Sequence, residues 1–443
     1  MKRDVRRIIY PVLLLTAFLW HSSPELLCLP ESPVILPVRE QARVVNLWLE
    51  KRLETILPEI MRREGVDMWV VICQEYNEDP VFLTLVPFEY LSARRLSMLV
   101  FYDRGPEKGL ERFSVSRYPI GKFYPTVWNP DREPDQWQVL AREIKARKPK
   151  KIGINESETF AFADGLTATN KSLLVKNLGP EYARRLVSAE KIVVGWLERR
   201  LPEEIEVYHH IARIAHRIIK EAFSSAAITP GITTTDDVRW WIWEKIHSLG
   251  LRTWFSPTVD IQRPKNSPFK DNVVRRGDLL HCDVGITYLG LCTDHQELAY
   301  VLRPGETEAP EGLRKALSIG NRLQDILVAE MVAGRTGNEI LAAALKKMRA
   351  EGIKGSIYSH PLGFHGHAAG PTIGLWDRQD GVPGQGDYPL YYDTCYSIEL
   401  NCRVAVPEWD NQEVLIGLEQ DASFTREGIV FLDGRQTQLH LIR

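Results

Sequence analysis

The chain has 443 residues, 44% of them hydrophobic, which supplies two packed cores and excludes a disordered or low-complexity protein. Its 56 Lys and Arg set against 58 Asp and Glu leave a net charge of −2, so nothing in the balance favours nucleic acid or an anionic membrane surface. No heptad run or short repeat is present.

Residues 1–28 read as an export signal. Lys2, Arg3, Arg6 and Arg7 precede an apolar run from Ile8 to Trp20 that is too short to span a bilayer as an ordinary helix. His21, Ser22, Ser23 and Pro24 then break it, and Leu27 stands before Cys28 where a lipoprotein site needs a small residue. The expectation is an exported protein, periplasmic or secreted, with an uncleaved membrane anchor as the alternative. Residues 40–195 predict an α/β domain. An amphipathic helix is expected over 41–63, kinked or split at Pro58. Strands are expected over 67–73, 97–102 and 151–154, and a helix over 136–146. Glu75, Asn77 and Asp79 follow a strand end and read as a solvated loop. This half shows no phosphate loop and no paired carboxylates.

Residues 200–443 predict a second domain. Its first helix, over 202–225, begins Glu-rich, which suits the helix dipole, and carries His209, His210 and His216 as surface or core histidines. Pro230-Gly231 and the Thr233–Thr235 run stop one helix and cap the next, which starts near Asp236. Trp240, Trp241 and Trp243 on that helix predict core and interface packing. Asp260 and Arg263, in the segment 253–263, are candidate pocket residues. Helices over 312–333 and 338–350 alternate with strands as two αβ halves around one sheet require. The Gly- and Asp-rich stretch 371–393 predicts a long irregular loop at a site rim or lid.

The chemistry gathers around Leu279–Tyr300, which reads as an antiparallel hairpin turning near Tyr288-Leu289-Gly290. Asp283 and Asp294 sit one on each arm. Read alone, the pair could equally lie at strand ends facing water. His360, Glu399 and Glu419 add an imidazole and two carboxylates in apolar runs, where an uncompensated charge is costly. Two Asp, two Glu and one His form an oxygen-rich ligand set that suits two divalent cations sharing carboxylates, with manganese, cobalt, iron or zinc all fitting. Of the six cysteines, Cys282 points away from the metal face and Cys292 shares the face of Asp294, so a bridge between them is not expected. Mostly free, buried thiols are predicted.

The order Asp283, Asp294, His360, Glu399, Glu419 resembles that of the pita-bread metallopeptidases: methionine aminopeptidase, aminopeptidase P and prolidase. The step of eleven between the Asp residues (294 − 283) and of seven from His360 to His367 (367 − 360) match the family's steps. Ser359-His360-Pro361-Leu362-Gly363 is similar to the aminopeptidase P form of the His motif. Glu419, Thr425 and Glu427-Gly428 are similar to the family's last strand and turn. The resemblance runs over nearly the whole chain after about residue 40. It implies an α/β (α+β) fold, with a creatinase-like N-terminal domain over 40–195 and a pita-bread catalytic domain over 200–443. It implies hydrolysis of the N-terminal peptide bond of short peptides by a dinuclear centre, manganese foremost, in a homodimer or larger homo-oligomer. Asp283 would then chelate one ion, His360 and Glu399 the other, and Asp294 and Glu419 would bridge. Glu399 would also act as general base, and His367 would bond the scissile carbonyl and steady the oxyanion. His365 would be a second polar contact to substrate or a structural residue; His281 would support the ligands, and His295 would either do the same or serve packing or the surface. The substrate shell departs from the family. Lys265 and Asn266 stand where an upstream His is usual, Gly417 where aminopeptidase P and prolidase carry Arg, and His295-Gln296-Glu297 where a TRT-like segment is usual. The resemblance therefore implies a peptidase without fixing Xaa-Pro specificity. The alternatives are a creatinase-like hydrolase of a small C–N bond and a peptide-binding protein without activity.

Overall fold

The apolar runs of the first half form a five-stranded sheet. The computed structural model describes residues 34–443, so the predicted export segment lies outside the described residues. The strand order is Leu110–Ser114, Leu96–Asp103, Met68–Gln74, Ile152–Ile154, Leu186–Ser188. The first two pairings are antiparallel and the last two parallel. Met68–Gln74 is central and buried on both faces, which is why it reads as a continuous apolar run. Asp79, expected in solvated loop, is instead buried; it accepts from Asn155 Nδ2 at 2.8 Å and from the Val81 amide at 3.0 Å. Among the described residues no helix is long and apolar enough to cross a membrane.

The helix predicted over 41–63 is split ahead of Pro58 by a change of winding. Val38–Lys51 and Leu57–Glu64 are α-helical, and Arg52–Ile56 between them is a π-turn whose end is closed by the Leu57 amide on the Arg52 carbonyl. Pro58 has no N–H to donate back into a regular α-ladder, and widening the preceding turn absorbs that defect. The π-turn also aims Arg52 into the protein.

The second half is built on a nine-stranded sheet. Its main path runs Lys354–Ile357, Thr394–Val406, Gln412–Thr425, His295–Val301, Leu279–Val284, Thr258–Gln262. Two long helices, Glu311–Glu330 and Gly337–Ala350, cover one face through Leu313, Leu317, Leu323, Leu327, Leu341 and Leu345. Pro202–Ala222 and Thr235–Ser248 belong to the other packed cluster, and Thr234 caps the second of them by accepting from the Asp237 amide. The loop 371–393 is not a free lid. Asn338 accepts from the Val382 amide at 2.7 Å, and Phe160 of the first half packs on Tyr388 with ring centroids 4.9 Å apart. Trp241 packs half-buried against the core, and Trp240, 48% exposed, stacks on the half-buried Trp243, so Trp240 does not join the core.

One apolar cluster joins the halves. It runs from Leu53, Ile60 and Trp69 through Trp196 and Tyr208 to Val284, Leu362 and Cys395. Polar groups are buried inside this junction. Arg52 donates to Glu204 at 2.8 Å and to the Arg199 carbonyl at 2.7 Å, and Glu204 also faces Arg200 at 3.7 Å. Phe364 lies between the two guanidiniums, 4.9 Å from that of Arg52 and 4.5 Å from that of Arg200.

Glu198 lies in the same junction, and its Oε2 has no hydrogen-bond partner. Burial pushes its carboxyl up to about 8, against the pull of Arg63, Arg200 and Arg199. The folded state thus holds Glu198 neutral while the unfolded chain ionises it above about 4.5, so stability falls as pH climbs between those values. Glu198→Gln keeps the shape and removes the ionisation. Its melting temperature should match the wild type near pH 4.5 and exceed it at pH 8, by up to about 4 kcal/mol in free energy. Equal melting curves at pH 8 would show that the arginines keep Glu198 charged.

Candidate metal centre

Strand register sets the carboxylates in rows. Glu399 and Glu419 are direct cross-strand partners in the pair Thr394–Val406 and Gln412–Thr425. Like charges in that relation repel unless something stands between them. Asp283 pairs with Gln296, and His360 with Ser397. The hairpin turns at Leu289 and Gly290, with φ of 54° and 79°, the two left-handed positions that a tight two-residue turn demands. Asp294 lies just before the strand His295–Val301, not inside an arm.

The five predicted ligands converge. Their donor atoms fall into overlapping groups within 4.8 Å: Asp283, Asp294 and Glu419; His360, Glu399 and Glu419; and Asp294, His360 and His367. His360 Nε2 lies 3.3 Å from Glu419, 3.6 Å from Glu399 and 3.7 Å from Asp294. Asp294, Glu399, Glu419 and His360 are buried. Asp283 Oδ1, Asp294 Oδ1 and His360 Nε2 are buried without a hydrogen-bond partner. Burial, then the charge of Glu419, pushes Asp283 up to about 8 and carries Asp294 and Glu399 well above the carboxylate range. Burial acts on Glu419 the same way, but the His360 imidazole and hydrogen bonds from Ser397 and Gln296 hold it below its usual value. Four crowded carboxylates, two of them with an orphaned oxygen, are what a divalent cation would satisfy, so the donor set fits metal.

Several residues that support this cluster escaped the sequence reading. Gln296 donates its amide to both Glu399 and Glu419, the latter at 2.7 Å, and Ser397 donates to Glu419 at 2.6 Å. Asp421 caps the Asp294 amide at 3.1 Å. The signal was available, because Gln296, Ser397 and Asp421 each lie two residues from a candidate ligand, and Ser397 and Asp421 share a strand face with Glu399 and Glu419. Gln296 also explains Gly417. A Cβ at Gly417 would lie 2.8 Å from His281 Nε2 and 3.0 Å from Gln296 Oε1, and those two atoms bond each other at 3.0 Å. The His281–Gln296 pair thus fills the room a larger residue at 417 would need. Removing the amide should loosen the carboxylates. Gln296→Leu is expected to weaken divalent-metal affinity about 10–100-fold by titration calorimetry. An unchanged affinity would mean that Gln296 only fills space.

The other predicted residues divide. His367 is exposed beside the cluster, its ring 4.6 Å from that of His360. Asp260 is exposed and pairs opposite His281, and its charge adds to the upward push on Asp283. His365 stacks flat on Phe162 of the first half at 4.4 Å. Arg263 is corrected: it is committed to Asp278 at 2.8 and 2.9 Å and to the Asp271 carbonyl at 2.7 Å, so its guanidinium serves the Asp278 turn and not a pocket. His209 and His216 hold the Leu432 carbonyl and Asp433, and neither joins a potential ligand group. His295 is fully buried, 3.7 Å from Asp421 and packed on His216.

Comparison with known proteins accords with this geometry. No curated protein matches the chain in sequence. Among solved structures, the chain is similar to an X-Pro aminopeptidase from Thermotoga maritima, at 18% identity and a TM-score of 0.61, over 86% of this chain and 99% of that one. It is similar to an Xaa-Pro dipeptidase from Bacillus anthracis, at 17% identity and 0.57, over 90% and 99%. It is also similar to the N-terminal domain of the FACT complex subunit SPT16 from chickpea, at 11% identity and 0.51, over 91% and 98%. At such identities the likeness speaks for the fold, which is the pita-bread fold. Residues 208–425 match the family described as metallopeptidase family M24, a span that holds all five converging ligands. Residues 208–425 therefore form a domain of metallopeptidase family M24.

Proposed function

We propose that the protein is a dinuclear metal-dependent peptidase that releases the N-terminal residue of short peptides. The observation that carries this reading is the overlap of the donor groups. Asp294, His360 and Glu419 each belong to two of the three groups, and of these the two carboxylates have the second oxygen that sharing between two cations needs. Asp283 would complete one position, and His360 with Glu399 the other. When bound, such a pair supplies positive charge that lowers the pKa of water and polarises a carbonyl. The chain's own residues do the rest. Glu399 takes the proton from the attacking water. His367, exposed at the edge of the cluster, donates a hydrogen bond to the scissile carbonyl oxygen as it gains charge. Gln296 and Ser397 hold Glu399 and Glu419 in place.

The filled space at Gly417 favours a broad preference among short peptides over strict Xaa-Pro cleavage. Export by residues 1–28 and assembly as a homodimer complete the proposal; the charge-then-apolar leader supports the first and the family resemblance the second. The test is a di- and tripeptide panel with Mn(II), Co(II) or Zn(II) added to the purified protein. Release of the N-terminal residue, abolished by a chelator, is expected. A folded, metal-loaded sample that cleaves no peptide in the panel overturns the reading.

A further inference from the structure

A tryptophan outside the ligand set stands one ring away from it. Trp254 precedes the strand Thr258–Gln262, and its indole packs edge-on to His367 with centroids 5.1 Å apart. His367 packs in turn on His360. The indole is fixed from three sides. Its N–H donates to the Thr293 carbonyl at 2.9 Å, next to Asp294. A Cβ at Gly366 would lie 2.1 Å from the indole ring, and one at Gly285 would lie 2.2 Å from its nitrogen. Neither glycine has a left-handed φ, so the backbone does not require them. Both are there for room: the indole occupies a slot cut for it. Phe255 closes the corner at 4.4 Å. Both aromatics are only half-buried, so apolar surface stays open beside the exposed His367 imidazole.

We propose that Trp254 is the specificity wall of this site, receiving the side chain that flanks the scissile bond and selecting peptides with a bulky apolar residue there. This rests on the peptidase reading above. A side chain on either side of a carbonyl held by His367 lies within reach of a ring 5.1 Å from that imidazole. The indole is already immobile, so a leucine or phenylalanine gains apolar contact without ordering the wall. Gly or Ser in the same place gains none.

The test uses peptide analogues whose scissile amide is reduced to a methyleneamine, so that binding is read without hydrolysis. Phe-Ala and Ala-Phe analogues are compared with Gly-Ala and Ala-Gly by calorimetry on the Mn(II)-loaded protein. The wild type should bind the better Phe analogue at least about tenfold more tightly than its Gly counterpart, the scale of a hydrophobic pocket contact. Trp254→Ala should erase that ratio, and Trp254→Phe should keep part of it. A wild type that binds both classes alike overturns the proposal, whatever the variants do. So does a Trp254→Ala variant that weakens both classes equally, since Trp254 would then only support His367. An intact preference in a protein that hydrolyses none of the natural peptides leaves the wall standing and overturns the peptidase reading instead.

Discussion

Asp294→Asn is expected to abolish peptide hydrolysis and metal binding while leaving the metal-free protein at least as stable as the wild type. Asp294 contributes to two of the three donor groups, and its Oδ1 has no other partner. Without it, each of the two proposed cations would lose a ligand. The charge they place on the reaction is worth several kcal/mol, and each 1.4 kcal/mol is about tenfold in rate, so a fall of at least about a thousandfold is expected. The stability arm has the opposite sign. Burial and the neighbouring Glu419, Asp283 and Glu399 resist ionisation of Asp294, and the neutral amide relieves that repulsion. Added Mn(II) should raise the wild-type melting temperature, by about 4 kcal/mol in free energy at a thousand times Kd, and should not move the variant. Variant protein that melts well below metal-free wild type would show that Asp294 serves packing first, and the centre would need redrawing.

Glu204→Gln should be the most damaging change outside the centre. It leaves Arg52 and Arg200 in the junction without their counter-charge, where both are fully buried. Breaking a buried ion pair from one side costs about 3–5 kcal/mol, because the remaining charges stay out of water. In a chain of this size that is a fall in melting temperature on the order of 3–5 °C. Phe364, held between the two guanidiniums, lies three residues before His367. The same change should therefore reduce turnover while metal affinity holds. A drop below about 1 kcal/mol would mean that the Trp196, Leu197 and Arg199 carbonyls already satisfy the arginines.

The ligands were legible because charge inside an apolar strand is anomalous wherever it occurs. Asp283, Glu399 and Glu419 announce themselves without any knowledge of the fold. The central strands of both sheets were legible for the same reason that their cores are dry, whereas edge strands such as Leu110–Ser114 and Leu186–Ser188 carry too little apolar pattern to stand out. What could not be read depends on residues far apart in the chain. Arg52 meets Glu204 across 152 positions, and no local pattern distinguishes that arginine from a surface one. The slot for Trp254 is cut by Gly285 and Gly366, each of which reads alone as an ordinary turn glycine. Arg263 looked like a pocket residue because its neighbours are polar, but Asp278, fifteen positions on, claims it. The exposure of Trp240 was not legible because aromatic bulk argues for burial and cannot say which face of a helix meets the core.

The cysteines carry a practical consequence. Cys73, Cys282, Cys292, Cys395 and Cys402 are all reduced and buried, and burial pushes the Cys73 thiol up to about 12 and Cys292 to about 11. Thiolate is the species that alkylating reagents attack, so the five cysteines among the described residues offer them almost nothing in the native state. Labelling must wait for the polypeptide to breathe, and each cysteine becomes a stopwatch for its own neighbourhood. Cys73 times the five-stranded layer, while Cys395 and Cys402 time the long strand that carries Glu399. Mass-resolved labelling with and without Mn(II) would show which layer the cation locks.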